Sequence, residues 1–150
     1  MIEVETFKGL TDHVGRTLDP SDWLVVTQDM IRRFADLTGD NNWYHIDEDR
    51  AAKEMPGGRT IAHGLLTLSL VPGLSKGIFR VRNHGRALNY GYDKLRFPAP
   101  VPSGSRLRLH MKVIGAEPDR GGLMVRRLFT MELEGCEAPA LVAQARTLAF

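Results

Sequence analysis

The sequence has one cysteine, Cys136, which excludes an internal disulfide and fits a reducing cytoplasm. No histidine is near it in sequence, so it reads as a small packing residue rather than a nucleophile. No apolar run is long enough for a membrane span. The longest, Ile61 to Val71, is interrupted by His63, Thr67 and Ser69 and followed by Pro72. The opening residues, Met1-Ile2-Glu3-Val4-Glu5, are acidic and lack a signal-peptide pattern. Neither sign of charge dominates. Twenty Lys and Arg against 18 Asp and Glu give a formal net charge of +2, far from the basic surface that sequence-independent nucleic-acid binding requires. Anionic small molecules remain open as partners. The five histidines show no His-x3-His spacing, so the sequence predicts no metal site. Repeats and low-complexity segments are also missing. With 150 residues, 43% hydrophobic and 25% charged, the chain suits one domain, spanning its whole length, with a full core.

The first 20 residues carry little pattern, and Pro20-Ser21-Asp22 reads as a turn. Trp23 to Val26 is a strand candidate. Thr27 then caps a helix whose apolar positions, Met30, Ile31, Phe34 and Leu37, recur at helical spacing. Gly39 stops it. Asp47 can cap a short helix through Asp49–Lys53, ended by Pro56-Gly57-Gly58. From Ala62 to about Phe79 the chain is apolar on nearly every side, which predicts a long buried helix. Pro72 cannot donate to the Leu68 carbonyl, so a kink or break is expected there. Residues 80 to 86 read as an exposed loop.

Four β-type segments follow, Ala87–Phe97, Ser105–Glu117, Leu123–Glu134 and Ala140–Phe150, separated by Pro/Gly turns. Leu107, Leu109, Met111 and Val113 alternate with Arg106, Arg108, His110 and Lys112, predicting one buried and one wet face. Helices in the first half and antiparallel strands in the second predict an α+β domain. A sheet curled around the apolar helix would supply the cover that helix needs.

Chemistry concentrates between Gly39 and Asp47. On a continuous helix Asp40 and His45 would lie about 140° apart around the axis and could not converge. Gly39 and the turn-favouring Asn41-Asn42 predict a non-helical connection that lets them meet. A carboxylate and a neutral imidazole sharing one water would supply general acid–base chemistry. Spacing alone also leaves Asp40 open as a turn cap and His45 as an ordinary loop histidine. His63 reads as structural, since a polar residue at a buried helix start usually has a local partner. Ser69 by itself reads as a back-bonded helix serine.

The run Gly39-Asp40-Asn41-Asn42-Trp43-Tyr44-His45-Ile46-Asp47, then Ala62-His63-Gly64-Leu65-Leu66-Thr67-Leu68-Ser69-Leu70, then Leu95 to Gly104, resembles the MaoC-like (R)-specific enoyl-CoA hydratases, in their nodulation protein N-like branch. The resemblance implies a hotdog fold, in which an antiparallel sheet wraps a long central helix, and a homodimer. It implies syn addition of water to a trans-2-enoyl-CoA thioester, giving the (R)-3-hydroxyacyl product, or the reverse dehydration. Asp40 and His45 match the family's catalytic pair. Asn42 matches an asparagine that orients it, and Ser69 a serine that supports the aspartate. Trp43 and Tyr44 depart from the usual Asn-Pro-aliphatic-His pattern and are expected to shape the acyl pocket.

Beside that resemblance, free amides at a helix start near His63 and Gly64 would meet charge developing on a thioester oxygen. No metal or redox cofactor is required, and neither nucleic acid nor membrane is expected as a partner. Arg80, Arg82, Arg86, Lys94 and Arg96 are candidates for the coenzyme A phosphates, with a solvated face as the default reading. Trp23 is a further candidate for an acyl tunnel. An acyl-CoA thioesterase on the same fold and a non-catalytic acyl-CoA-binding protein are the alternative functions.

Overall fold

The computed structural model describes residues 1–150. The chain begins with strand β1 (Ile2–Val4) and a 3₁₀ helix (Phe7–His13), neither evident in the sequence pattern. Strand β2 is short (Leu24–Val25). Helix α1 (Gln28–Thr38) starts where Thr27 accepts from the Met30 amide at 3.2 Å and ends at Gly39, whose φ of 77° is the left-handed cap geometry. Its inward stripe is Ile31 and Ala35, with Phe34 half-buried; Leu37, expected on that face, is 84% exposed. After α2 (Trp43–Ile46) comes α3 (Glu48–Glu54), capped by Asp47, which accepts from the Arg50 amide at 2.9 Å.

The apolar segment forms α4 (Gly64–Ser69) and α5 (Val71–Ser75). Leu70 joins them: its N–H donates to the Leu66 carbonyl and its carbonyl accepts from the Leu74 N–H, both at 3.1 Å. The interruption falls where Pro72 lacks a donor. Burial is not all-round as expected. Leu66, Val71 and Ser75 face the interior, whereas Leu65 is 58% exposed and Pro72 and Gly73 face outward. One five-stranded sheet covers only one side of a helix. The helix also stops short of Phe79, because Phe79–Val81 is a strand, β3, that pairs in parallel with β1. This replaces the start of the loop expected over 80 to 86, and Val81 is buried.

The remaining strands are β4 (Ala87–Arg96), β5 (Arg106–Asp119), β6 (Gly122–Leu133) and β7 (Leu141–Ala149). With β2 they form an antiparallel sheet in the order β2-β5-β6-β7-β4. The period-2 pattern holds in β5: Leu107, Leu109, Met111 and Val113 are buried at 0–1% exposure, and the basic residues between them point outward. Phe129, Met131, Leu141 and Ala143 continue this inner face and pack on α4, α5 and α1 through Leu66, Val71 and Ile31. Each large apolar side chain so buried contributes roughly 1.5–3 kcal/mol. No helix is long and apolar enough to cross a membrane.

Leu109→Ala should therefore destabilise the protein by about 2–5 kcal/mol in urea titration, and Leu37→Ala by less than about 0.5 kcal/mol. Comparable losses at the two positions would contradict this packing.

Candidate active site

Gly39 turns the chain out of α1, its N–H still donating to the Ala35 carbonyl at 2.8 Å. Asp40 to Asn42 are non-helical, as the turn residues predict, but the connection is not irregular throughout. Asp47 N–H donates to the Trp43 carbonyl at 2.8 Å and closes the single turn of α2. His45 sits on that turn. Asp40 and His45 thus lie on opposite sides of the Asn41-Asn42 bend. Asn42 is the N-cap residue of α2 but makes no side-chain cap bond; its Nδ2 donates to Asp40 Oδ1 at 2.6 Å and fixes one carboxylate oxygen.

The second wall is the segment leading into α4. The Ile61 carbonyl accepts from His45 Nδ1 at 2.6 Å, which leaves the lone pair of the neutral ring on Nε2. His63 Nε2 donates to the backbone carbonyl of Asp40 at 2.9 Å and lies 4.0 Å from its Oδ2. The two imidazoles stack, with centroids 3.7 Å apart and planes inclined by 24°. Phe34 of α1 packs on His63 at 5.0 Å. Both histidines are buried, while the Asp40 side chain is 47% exposed, so the site opens at the carboxylate.

The His45 pKa is lowered from its ordinary 6.5, chiefly because burial disfavours the cation. The Ile61 carbonyl opposes that effect, the neighbouring His63 adds to it, and Asp40 opposes it. The result favours a neutral imidazole whose unbonded Nε2 can take a proton. One carboxylate and two imidazoles, each with an atom within 4.8 Å of the others, form one cluster. The histidines are therefore not all scattered, as their sequence spacing suggested. The cluster is poorly arranged for a metal: an ion lies in the plane of each imidazole about 2 Å from its nitrogen, and stacked rings do not aim two lone pairs at one such point.

Gly64 begins α4, and no side chain caps that terminus, so its first-turn amides are free of a cap. A Cβ on Gly64 would lie 3.0 Å from the Phe97 ring, so the glycine admits Phe97 against the helix start. Tyr44 packs edge-on against His45 at 4.5 Å. Trp43 is turned toward α3, with the Arg50 guanidinium 4.0 Å above its ring. Ser69 is not brought to Asp40: its hydroxyl donates to the Leu65 carbonyl at 2.7 Å, within its own helix. Trp23 lies on the outer face of the sheet beneath Arg106 and Arg108.

Among the basic candidates, Arg82 is held by Glu3 at 2.9 Å, Arg86 lies over Phe150, and Arg96 donates to the Leu95 carbonyl. Gln28, unmarked in the sequence, also braces the site. Its Nε2 donates to the His45 carbonyl at 2.8 Å, and its Oε1 accepts from the buried Thr60 hydroxyl. No local pattern marks a glutamine in the first turn of a helix for that task.

Comparison with known proteins places the fold and the family. Residues 10–128 match the model of the MaoC like domain. The chain is 42% identical over 146 residues to 3-hydroxyacyl-thioester dehydratase Z of Mycobacterium tuberculosis, covering 95% of this chain and 96% of that one. It is 41% identical over 138 residues to nodulation protein N of Rhizobium leguminosarum bv. viciae, covering 90% and 85% respectively. Its backbone superposes on the (R)-hydratase from A. caviae with a TM-score of 0.73 at 23% identity, over 91% of this chain and 96% of that one. The sheet wrapped on a central helix is the hotdog fold. The chain belongs to the MaoC-like dehydratase family of hydro-lyases.

Proposed function

We propose that this protein is an (R)-specific enoyl-CoA hydratase, adding water to a trans-2-enoyl-CoA, or dehydrating the (R)-3-hydroxyacyl-CoA in reverse. The observation that carries this reading is the meeting of Asp40 with a His45 whose Nδ1 is occupied by the Ile61 carbonyl and whose Nε2 is free. The family and its 3-hydroxyacyl-thioester relative support a thioester substrate.

The chemistry follows from what an enoyl thioester needs. Its β-carbon is electrophilic. A water held between the Asp40 carboxylate and His45 Nε2 loses a proton to the imidazole as its oxygen bonds to that carbon. The displaced π electrons move through the α-carbon onto the thioester oxygen, where free amides of the α4 first turn can meet the charge. A proton from the same cluster then reaches the α-carbon and restores the thioester carbonyl. Hydroxyl and hydrogen arrive from one side, which makes the addition syn. His63 serves as a positioning residue: it holds the Asp40 backbone and stacks on the base.

The protein is proposed to work as a homodimer in the cytoplasm. Strand β4 is an edge of the sheet and carries the exposed apolar residues Leu88 and Tyr90, and Leu65 and Phe97 leave the helix-start side partly uncovered. Light scattering should give twice the 16.8 kDa chain mass; a monomer active at assay dilution would remove this part of the reading.

Asp40→Asn and His45→Gln should each remain folded and lower crotonyl-CoA hydration by at least about 100-fold. Turnover unchanged in both would sink the assignment. Release of free thiol by the unaltered protein would favour the thioesterase alternative, and tight binding with neither reaction a non-catalytic role. Because burial favours neutral His45, the acid limb of the kcat/KM profile should have its midpoint below the ordinary 6.5; a midpoint at or above that value would contradict the electrostatic account. Ser69→Ala should leave kcat within about threefold, since its hydroxyl is bonded within the helix. A loss as large as that of Asp40→Asn would instead give Ser69 the supporting role that the resemblance implies.

A further inference from the structure

The C-terminal end of the α4–α5 helix, opposite the end that meets Asp40 and His45, borders a cavity of about 560 Å³. This is within the roughly 300–1,000 Å³ usual for small-molecule sites. None of Asp40, His45, His63, Trp43 or Tyr44 lines it. Its walls are largely apolar, built by Val71, Phe79, Val81, Tyr92 and Phe129, and no carboxylate borders it. The titratable groups lining it, besides Tyr92, are all basic: Lys76, Arg80, His84 and Arg127.

Arg127 is the unusual member. It occupies an inward position of β6, two residues before the core residue Phe129, where the alternation calls for an apolar side chain. It is 8% exposed. Its guanidinium makes one hydrogen bond, Nη2 donating to Thr147 Oγ1 at 2.6 Å, and Nε is buried without a partner. The rings of Phe79 and Phe129 lie 5.5 and 5.0 Å from it. Burial drags its pKa down only to about 10, so it stays charged at neutral pH. Arg82, Arg108 and Arg146, all nearer the surface, each have a carboxylate partner. The most buried cation has none. Aromatic faces offset only part of the desolvation of such a charge, and a bound anion would supply the remainder.

We propose that this cavity binds an organic carboxylate with an apolar body, Arg127 receiving the carboxylate and the aromatic walls the chain. A carboxylate matches one buried guanidinium in charge and in bidentate shape, and the aromatic residues beside Arg127, Phe79 and Phe129, suit the apolar chain attached to it. The carboxylate can come from a free acid, or from the distal end of an acyl thioester whose reacting end lies at Asp40 and His45. The second source rests on the hydratase reading; the first does not.

Calorimetry with octanoate and octanamide tests the site without turnover, so its outcome is separate from that of the hydratase assay. Octanoate should bind the unaltered protein at least about tenfold more tightly than the amide. Arg127→Gln, its fold checked by circular dichroism, should bring the two ligands level, while Arg127→Lys keeps part of the preference. Equal binding of acid and amide by the unaltered protein overturns the proposal, whether or not Arg127→Gln folds. So does an acid preference that survives in folded Arg127→Gln. A kcat/KM for trans-2-dodecenedioyl-CoA at least about tenfold above that for trans-2-dodecenoyl-CoA, lost in Arg127→Gln, assigns the site to the distal end of substrate. Octanoate binding without that advantage assigns it to a free acid.

Discussion

The hydrogen bond from His45 Nδ1 to the Ile61 carbonyl is the contact on which the site depends. It joins two segments 16 residues apart, at 2.6 Å, and does two things together. It fixes the tautomer, leaving the basic nitrogen free, and it docks the loop after α1 onto the segment that starts the central helix. His63 makes the reciprocal tie, donating to the Asp40 backbone 23 residues earlier. Each wall of the site therefore holds the other. Gln28 adds a third tie by bonding the His45 carbonyl and the Thr60 hydroxyl. The electrostatics follow from the same docking: burial of the imidazole favours its neutral form, and the half-exposed carboxylate leaves the cluster open to solvent.

The scaffold makes that docking possible by a division of labour between sheet and helix. Strands β5, β6 and β7 supply a continuous apolar face, and the α4–α5 helix lies against it with its uncapped start at the site. The core thereby fixes the helix, and the helix fixes Ile61 and His63. The inner face of β6 is the exception, since Arg127 interrupts it beside the cavity at the other end of the helix. The two ends of one helix thus border very different surroundings: a carboxylate–imidazole cluster open to water, and an apolar chamber containing a buried cation.

What could be read from the sequence was what local chemistry determines. Thr27 and Gly39 bound α1 because a cap and a left-handed glycine act within one turn, and the alternation in β5 reports its two faces residue by residue. The pairing of Asp40 with His45 was legible for the same reason. Features set by distant partners were not. Phe79–Val81 becomes a strand only because β1 lies beside it, and the helix expected to run to Phe79 ends early. Leu37 fits the helical period yet faces solvent, since no element covers that part of α1. Gln28 carried no motif that could reveal its hold on the loop, and His63, read as structural with a local partner, instead holds a carbonyl 23 residues earlier. Ser69 matched a family position, but its hydroxyl is taken by the Leu65 carbonyl.

In the proposed reaction a single cluster, on one side of the substrate, delivers both the hydroxyl and the proton. Hydration of crotonyl-CoA in deuterium oxide tests it most directly, with the product's configuration read by NMR after hydrolysis. The expected result is the (R)-3-hydroxy product carrying one deuterium at the α-carbon, syn to the new hydroxyl. Deuterium placed anti, or distributed over both α positions during a single turnover, would contradict it.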